Sequence, residues 1–496
     1  MIIFVNPRAT RPSNRRFPLS VMALAAALPE GTTWHIVDGN LPDVDVVRDV
    51  SALVTAAAAS RDTVRAIAMT VMPGPQLLEA VPQARALKQL HPHVPIVWGG
   101  YFPSLYPTPV LNADYIDYAV RGQGEHTFVE LLDVLAGTRA PDGIAGLAYR
   151  ENGEHRINAE RRWAGPDELP LLPFDRIPVG EYLRPTFLGR RSGVYQASIG
   201  CPYGCSFCGV ISVFGSREKV EAPERTAGQL AWLVRNHGMD GMHFYDNNFF
   251  VREDHAVELA ERIRPLGLSW WCEARIDAML RFSDATWRKL RDAGLRMVFF
   301  GAESGSDEVL RRMNKKLTVA QTLELASRAK QHGIIPEFSF VLGDPDRPEE
   351  ELDNTLRFIR KVKALNSAVE IITYFYTPTP QRRGTYGGVD ALAGTPDTLE
   401  EWTTPEWLTW MTHENPRVPW LTPELRRRVE EFELVLKSRF PSVHDRRTRA
   451  WGRSLGRILA VRRWHQGQYQ SPRMLRMVQR FARTEPDDRQ NYGHLR

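Results

Sequence analysis

The segment SIGCPYGCSFC, residues 198–208, decides how the rest of the chain is interpreted. It contains three of the four cysteines of the chain, Cys201, Cys205 and Cys208, within eight positions. Cysteines this close along the chain cannot all be joined in disulfides, and thiols of a cytosolic protein stay reduced. The triplet therefore indicates a metal site with soft ligands.

Two kinds of metal centre suit three thiolates. Structural zinc prefers four closed protein ligands, and the only other thiol, Cys272, lies far along the chain beside two tryptophans. A [4Fe-4S] cluster held by three cysteines leaves one iron without a protein ligand, so a small molecule with adjacent amine and carboxylate groups can bind it. The residues favour the cluster, and zinc remains the alternative.

The cysteine segment follows the first of six predicted strands, with helical patterns between them. The predicted strands are Val194–Ile199, Gly241–Tyr245, Ser269–Ala274, Met297–Gly301, Glu337–Leu342 and Ile371–Tyr376. Alternating strands and helices of this kind predict a partial (β/α)6 TIM-type barrel over residues 191–400. We expect activity at the rim formed by the carboxyl ends of the strands.

The first 140 residues show the same alternation of short apolar runs and helical patterns. They predict an open, parallel, Rossmann-like α/β sheet, which binds ligands at the carboxyl ends of its strands. Residues 141–190 are rich in Pro, Gly and charge, with a hairpin expected at Asn152-Gly153, and are predicted to be a linker. Residues 401–496 are predicted to be a helical C-terminal region.

The composition is that of a folded globular chain, with 496 residues, 43% hydrophobic and 25% charged. The longest apolar runs, residues 21–28 and 52–59, are far shorter than the roughly 20 residues of a membrane span. No transmembrane segment is expected. The N-terminal MIIFVNP lacks the features of a signal peptide, and we expect a cytoplasmic protein.

The net charge of +5 is unevenly distributed, because residues 421–496 contain 18 Lys and Arg against 8 Asp and Glu. A solvated helical face is the favoured interpretation of this basic stretch. Contact with anionic lipid, nucleic acid or an acidic substrate is the alternative. We expect no nucleic-acid partner.

The cysteine spacing, the aromatic residue before the last cysteine and the position after a first barrel strand resemble the radical S-adenosylmethionine (SAM) superfamily. The resemblance implies that Cys201, Cys205 and Cys208 hold a [4Fe-4S] cluster whose open iron binds SAM. One-electron reduction, from an external donor such as a flavodoxin or ferredoxin, would then give a 5′-deoxyadenosyl radical. The protein would supply position and exclude water.

Two further turns resemble SAM-binding positions of the superfamily. YDNNF, residues 245–249, ends the second strand and resembles the Asp-Asn-Phe motif of one large subgroup, so Asp246 and Asn247 are expected near the amino group of SAM. GAESGS, residues 301–306, ends the fourth strand, where Glu303 and Ser304 are expected near the ribose or the sulfonium. Taken alone, each turn could be an ordinary helix cap.

The first domain resembles the cobalamin-binding domain that precedes the barrel in this subgroup. The resemblance implies a ligand close to Gly99 and Gly100, and to Gly122, Gly124 and Glu125, because glycine permits close backbone approach. A generic nucleotide-binding sheet is the alternative. Asp38-Gly39-Asn40 lacks the histidine of many cobalamin domains, so the loop at residues 70–76, with Met72, is expected to face the lower side of cobalt instead.

The resemblance fits two reactions on a small-molecule substrate. Methylation of an unactivated carbon through methylcobalamin is preferred, and a radical oxidative cyclisation or rearrangement, as in the anaerobic magnesium-protoporphyrin ester cyclases, is the alternative. A cobalamin or iron-sulfur sensor without catalysis is a more distant alternative. No catalytic residue is assigned. Cys272 is at a strand position that could point into the barrel, although such a cysteine is usually a small buried hydrophobe.

Overall fold

A seven-stranded sheet organises the first part of the chain, in a computed structural model that describes residues 1–10, 14–380, 385–412, 418–444 and 448–482. Its strands are β1 (Ile2–Asn6), β2 (Trp34–Asp38), β3 (Ala66–Thr70), β4 (Ile96–Gly99), β5 (Tyr118–Val120), β6 (Leu147–Glu151) and β7 (Glu154–Ile157). Its helices are α1 (Leu19–Ala26), α2 (Val46–Ala59), α3 (Pro75–Leu90), α4 (Tyr101–Leu105), α5 (Pro107–Asn112) and α6 (Glu125–Leu135). The order is β2-β1-β3-β4-β5-β6-β7, and the first five strands are parallel.

Helices cover both faces of this sheet, which explains why its central strands are apolar throughout. Ile2 and Phe4 of β1 pack with residues of α1 and α6. Ile3 and Val5 of the same strand pack with residues of α2 and α3. Alternate side chains of one strand point to opposite faces, so a strand buried on both sides is apolar at every position.

The Asn152-Gly153 hairpin is confirmed, and it belongs to the first sheet. Both residues have positive φ, 53° and 82°, as a two-residue hairpin turn requires. The hairpin joins β6 to β7, and β6 pairs antiparallel with β5. The segment expected to be a linker therefore begins inside the sheet, which extends to Ile157. Helix α7 (Val179–Tyr182) lies between the two sheets along the chain.

The second sheet is a six-stranded parallel partial barrel. Its strands are β8 (Ser192–Tyr195), β11 (Gly241–Phe244), β12 (Ser269–Ala274), β13 (Leu295–Glu303), β14 (Ile335–Leu342) and β15 (Glu370–Phe375). A separate hairpin beside the barrel consists of β9 (Ser198–Cys201) and β10 (Arg217–Val220). Its helices are α8 (Val210–Phe214), α9 (Pro223–His237), α10 (Glu253–Ile263), α11 (Ile276–Leu280), α12 (Asp284–Asp292), α13 (Asp307–Arg312), α14 (Val319–His332) and α15 (Pro348–Leu365). The barrel order is β15-β14-β13-β12-β11-β8.

One strand boundary was predicted wrongly. The run Val194–Ile199 is not a single strand, because β8 ends at Tyr195 and β9 leaves the barrel to pair antiparallel with β10. A run of apolar residues does not show where one strand ends and where the chain begins to pair with a different strand. The consequence of this change is that the cysteine segment begins on a separate two-stranded hairpin.

In the described part of the chain after residue 398, the regular structure is helical. The helices are α16 (Leu399–Trp402), α17 (Pro405–Met411), α18 (Pro423–Arg439), α19 (Ala450–Gln466) and α20 (Arg473–Ala482). Residues of α16 and α17 pack in the core of the first sheet, whereas residues of α18 pack in the core of the barrel. Within the described ranges, every helix is too short or too polar to cross a bilayer.

Trp402 is one of two residues, with Leu399, through which α16 joins the first core. It is fully buried, and its ring lies 5.3 Å from Phe102 and 4.6 Å from Tyr106, measured between ring centroids. We expect Trp402→Ala to lower the free energy of unfolding of this region by about 3–5 kcal/mol, since it leaves a large cavity. Chemical denaturation followed by circular dichroism measures the change. Trp451→Ala, at a position that is 48% exposed, should change it little; equal effects would contradict this role for Trp402.

Candidate functional site

Cys201 is the last residue of β9, and Cys205 and Cys208 lie on the segment that joins β9 to β10. Gly200, just before Cys201, has a φ of 82°, and a Cβ there would lie 2.3 Å from the carbonyl oxygen of Arg217. Only glycine fits this backbone. Further along the loop, Ser206 N donates to Met313 O at 3.0 Å, and Tyr386 N donates to Ser206 O at 2.9 Å. Backbone bonds from two other segments thus hold the loop.

The cysteine thiols lie in a protected, positively charged setting. Arg275 Nη1 donates to Cys205 Sγ at 3.2 Å. Burial, together with Cys205 and Cys201, raises the pKa of Cys208 to about 12. Without a metal, the Cys208 thiol is therefore protonated at neutral pH, and a bound metal would have to displace that proton.

The cysteine loop does not form a site for a single ion. Among the described residues, no group of three or more His, Cys, Asp or Glu side chains is placed to hold one metal ion. A cluster has a different requirement, because each cysteine binds a separate iron atom.

The side chains of the Asp-Asn-Asn turn after β11 have three different roles. Asp246 Oδ2 accepts from Ala197 N at 3.3 Å, and burial raises the pKa of Asp246 to about 7. Asn248 Oδ1 accepts from Arg275 N at 3.0 Å. Asn247 Oδ1 is buried without a hydrogen-bond partner. Asp246 and Asn248 therefore support the segments around the cysteine loop, and Asn247 has an oxygen available for a ligand.

Glu303 and Ser304, at the end of β13, have partners within the protein. Lys315 Nζ donates to Glu303 Oε1 at 2.5 Å, and both side chains are buried. Glu303 has a φ of 64°, a strained value for a non-glycine residue. Ser304 Oγ lies 3.3 Å from Thr355 Oγ1, on α15. Sequence reasoning missed Lys315, because a lysine in a loop carries no pattern that indicates a buried partner.

The Gly-Gly turn after β4 is packed against the loop after β3. A Cβ on Gly100 would lie 2.9 Å from the carbonyl oxygen of Val71, and Val71 N donates to Gly99 O at 2.8 Å. Gly100 is thus required by the packing of the chain itself. Met72, next in that loop, is 52% exposed. An exposed Met at the carboxyl end of a parallel sheet fits a ligand-facing position.

The Arg-Gly-x-Gly-Glu turn after β5 combines open and packed positions. Gly122 has positive φ, and a Cβ on it would have no other atom within 4 Å, so its backbone faces open space. Gly124 begins α6, and a Cβ on it would contact Leu24. Glu125 is buried, and burial raises its pKa. The open backbone at Gly122 is the feature that fits a large ligand.

Asn40 lies two positions after Asp38, where many cobalamin domains have a histidine. Its side chain points into the protein. Its Oδ1 accepts from Ala9 N at 2.9 Å and from Thr10 N at 3.0 Å. The side chain holds the loop after β1 and has no role toward the open edge of the sheet.

Tyr101 brings the two expected cofactor regions together. It directly follows Gly100, and its hydroxyl would lie 3.5 Å from a Cβ on Gly209, the residue after Cys208. Burial and the proximity of Cys208 raise the pKa of Tyr101. The glycine turn of the first sheet therefore contacts the cysteine loop of the barrel.

The barrel interior contains a polar chamber, which we define by Arg16, His243, Tyr245, Trp271 and Glu273. The rings of His243 and Trp271 stack 3.8 Å apart, and Arg16 lies 4.7 Å above the ring of Tyr245. His243 Nε2, Tyr245 OH, Trp271 Nε1 and Arg16 Nε are buried and have no hydrogen-bond partner. Buried polar atoms are almost always satisfied, so this concentration of orphan atoms indicates a ligand site.

Glu273 is an accessible side chain of the chamber. Burial and Asp246 raise its pKa to about 7, yet 38% of its side chain is exposed. Its carboxyl group is therefore within reach of a ligand. Sequence reasoning missed the chamber, because Arg16 comes from the first domain and the other residues come from two strands.

Cys272 does not point into the barrel. Trp270, on the same face of β12, donates its indole N–H to Ala293 O in the surrounding helical layer. Alternation along the strand places Cys272 on that outer face and Trp271 on the inner one. Cys272 is fully buried in the main core. It is the small hydrophobe that the usual pattern predicts.

Comparisons with known proteins agree with this layout. The radical SAM superfamily model matches residues 195–359, and the B12 binding domain model matches residues 10–132. An uncharacterised methyltransferase of Pyrococcus horikoshii is 31% identical, over 70% of this chain and 73% of that protein. The anaerobic magnesium-protoporphyrin IX monomethyl ester cyclase of Rubrivivax gelatinosus is 25% identical, over 58% of this chain and 52% of the cyclase. The chain thus spans about half the length of the cyclase.

Two solved structures share the fold. TsrM, a radical SAM methyltransferase of Kitasatospora setae with tryptophan and a SAM analogue bound, has a TM-score of 0.64 at 18% identity, over 97% of this chain and 98% of that chain. OxsB, with aqua-cobalamin and SAM bound, has a TM-score of 0.62 at 19% identity, over 78% of this chain and 54% of that chain. The predicted order of Rossmann-like domain, partial barrel and helical region is confirmed.

The cysteine assignment gives a matched pair of variants. We expect Cys208→Ala to lose most iron and sulfide after anaerobic reconstitution, because two thiolates cannot replace three. Cys272→Ala should keep full content, since Cys272 lies in the core away from the loop. Iron analysis and electron paramagnetic resonance of the reduced protein measure both. Full cluster content in Cys208→Ala would contradict the assignment.

Proposed function

The chain belongs to the radical SAM superfamily and to its cobalamin-binding members, and from this membership we propose that it methylates an unactivated carbon of a small-molecule metabolite. Its cofactors are a [4Fe-4S] cluster, SAM and cobalamin. Relatives named as methyltransferases support the reaction, among them the cytidylyl-2-hydroxyethylphosphonate methyltransferase of Streptomyces wedmorensis, 26% identical over 50% of this chain and 52% of that protein.

The residues fit these groups as follows. Cys201, Cys205 and Cys208 would hold the cluster, and Asn247 has an unpartnered oxygen for SAM. Gly122 and Met72 would meet cobalamin at the open edge of the first sheet. Reductive cleavage of SAM and delivery of a methyl group are the chemistry that these cofactors supply when bound. The chain supplies the buried setting, and an external one-electron donor would supply electrons.

The contact of Tyr101 with Gly209 is the observation that carries the proposal. A methyl group carried on cobalamin can reach a substrate carbon only if both cofactors border one cavity. The glycine turn of the first sheet and the cysteine loop of the barrel touch through this contact. A cytoplasmic location, where thiols stay reduced, suits a cluster on three cysteines.

The substrate would bind in the chamber of Arg16, His243, Tyr245, Trp271 and Glu273. Its orphan donors and acceptors favour a molecule with several polar groups. The stacked His243 and Trp271 rings offer a flat wall.

Labelled SAM separates methylation from its alternative. With methyl-labelled SAM and reductant, the reconstituted holoenzyme should form 5′-deoxyadenosine and S-adenosylhomocysteine, and label should appear in the cobalamin fraction. A radical cyclase, the second candidate because of the similarity to the protoporphyrin ester cyclase, would form 5′-deoxyadenosine without S-adenosylhomocysteine. Absence of both products would contradict catalysis and favour a sensor. Cys208→Ala is the negative control.

We further propose that Glu218 and Asp246 face the cationic end of SAM. Burial and Asp246 raise the pKa of Glu218, on β10, to about 8, and its Oε1 is buried without a hydrogen-bond partner. A buried carboxyl group, on Asp246, and a half-buried one, on Glu218, repel each other and so favour a positively charged ligand. SAM is positively charged at its sulfonium.

This arrangement predicts a pH dependence of SAM binding. A cation favours ionised Glu218, so affinity should rise with pH below about 8, by as much as about tenfold per pH unit, and level off above. Glu218→Gln should lose that part of the rise. The amine of SAM titrates in both proteins, so their difference isolates the carboxyl group. Calorimetry between about pH 6.5 and 9 measures it, and identical profiles would rule out this role for Glu218.

A further inference from the structure

A basic cavity lies at the end of the barrel opposite the cysteine loop. It has a volume of about 580 Å³ and lies between the C-terminal parts of α15, α18 and α19. It is lined by Arg357, Arg360, Lys361, Lys363, Ala364, Ser367, Arg439, Phe440, Trp464 and His465. Strand β15 starts at Glu370, just after α15, so the cavity is about one strand length from the catalytic rim, roughly 20 Å.

The cavity is lined by five basic side chains, Arg357, Arg360, Lys361, Lys363 and Arg439, and by no acidic side chain. Within the described ranges, none of the five forms an ion pair with a carboxylate. Their hydrogen bonds go to neutral groups. Arg360 Nη2 donates to His465 O at 3.1 Å, and Arg357 Nη2 donates to the side chain of Asn354.

The most buried of these cations, Lys363, is held by neutral groups: its Nζ donates to Ser367 O at 2.8 Å and to Val369 O at 2.6 Å. Lys363 Nζ lies 4.3 Å from the ring centre of Phe440, and Arg439 Cζ lies 4.8 Å from it. Burial and Arg439 lower the pKa of Lys363 to about 8, although Glu370 acts in the opposite direction. Arg439 Nε is buried with no hydrogen-bond partner. A ring quadrupole shared by two cations replaces a counter-ion only in part.

Helix dipoles explain some of this charge but not all of it. Three helices end at the cavity, and each C-terminus has roughly half a negative charge, which acts only over the last turn. Lys363 and Arg439 lie in such last turns. Arg357, Arg360 and Lys361 lie before the last turn of α15. Arg357 and Lys361 are exposed and hydrated, and together with Arg360 they concentrate like charge that an anionic ligand would offset.

We propose that this cavity binds a phosphate-bearing anion with two or more negative charges. Guanidinium groups match phosphate oxygens in pairs, and lysines add point charge. Phe440 and Trp464 supply an apolar wall for the organic part of the ligand. The volume is that of an ordinary small-molecule site. The site is separate from the cofactor and substrate chamber and does not depend on the proposed methylation.

A phosphate group can belong to a free metabolite or to a lipid headgroup. Helix α19, which lines the cavity, and the following α20 expose Ile458, Met474, Met477 and Phe481. In α20 these apolar residues form one row and Arg473, Arg476 and Arg480 form another, as in helices that lie on anionic membranes. A lipid would contact this surface as well as the cavity, whereas a free anion would need the cavity alone.

Binding of inorganic tripolyphosphate to the full-length holoenzyme tests the site. Isothermal titration should detect binding that weakens at high salt, and Arg357→Gln/Lys361→Gln should raise Kd at least about tenfold. Both residues are exposed, so the variant should fold. Arg288→Gln/Arg296→Gln removes two exposed charges elsewhere on the barrel and should leave Kd unchanged. No binding, or an equal loss in both double variants, would overturn the proposal.

Vesicles distinguish the two sources. Phosphatidylglycerol vesicles that bind the wild type, lose binding in Arg357→Gln/Lys361→Gln and are displaced by tripolyphosphate would support the site with a lipid source. Tripolyphosphate binding without vesicle binding would support it with a free ligand. Vesicle binding that survives the double variant, together with no tripolyphosphate binding, would assign the basic surface to the helices alone and overturn the cavity site.

Discussion

The contact between the two carboxyl-end edges is the constraint on which the site depends. Parallel sheets bind ligands where their strands end, so each of the two sheets has one such edge. Tyr101, from the glycine turn of the first sheet, approaches Gly209, beside the last cysteine. The edges of the two sheets therefore lie next to each other. Neither sheet alone contains the residues of both expected cofactor regions.

The chamber in the barrel keeps polar and charged side chains buried, which is unfavourable for folding. Burial lowers the pKa of Arg16 to about 9 and raises that of Glu273 to about 7, and Arg16 Nε is buried without a hydrogen-bond partner. An apolar core would avoid these costs. A polar interior with unpartnered atoms is reasonable only where a ligand supplies the missing hydrogen bonds. The same reasoning, applied to like charges, distinguishes the basic cavity at α15 from an ordinary solvated surface.

Much of the architecture was predictable, because the spacing of apolar residues along the chain indicates which positions are buried. The apolar runs of β1 and β3 indicated their strands, and Asn152-Gly153 indicated a hairpin, since its backbone demands residues that accept positive φ. The change of partner after Tyr195 was not predictable, because pairing is a property of distant segments. The cysteine loop was recognisable from spacing. Lys315, Glu218 and Arg16 were not, because their importance comes from neighbours that only the fold brings close.

The helices of the C-terminal region support two different parts of the molecule. Gly74 N lies 3.2 Å from Met411 Sδ, so α17 supports the loop that presents Met72 at the edge of the first sheet. Helices α18 and α19 instead form the basic cavity against α15. An anion bound there would stabilise the docking of these helices by mass action, to a degree set by the ratio of its concentration to Kd. Since it touches no residue of the cofactor edges, its direct effect would be on the stability of the barrel end and not on the chemistry at the rim.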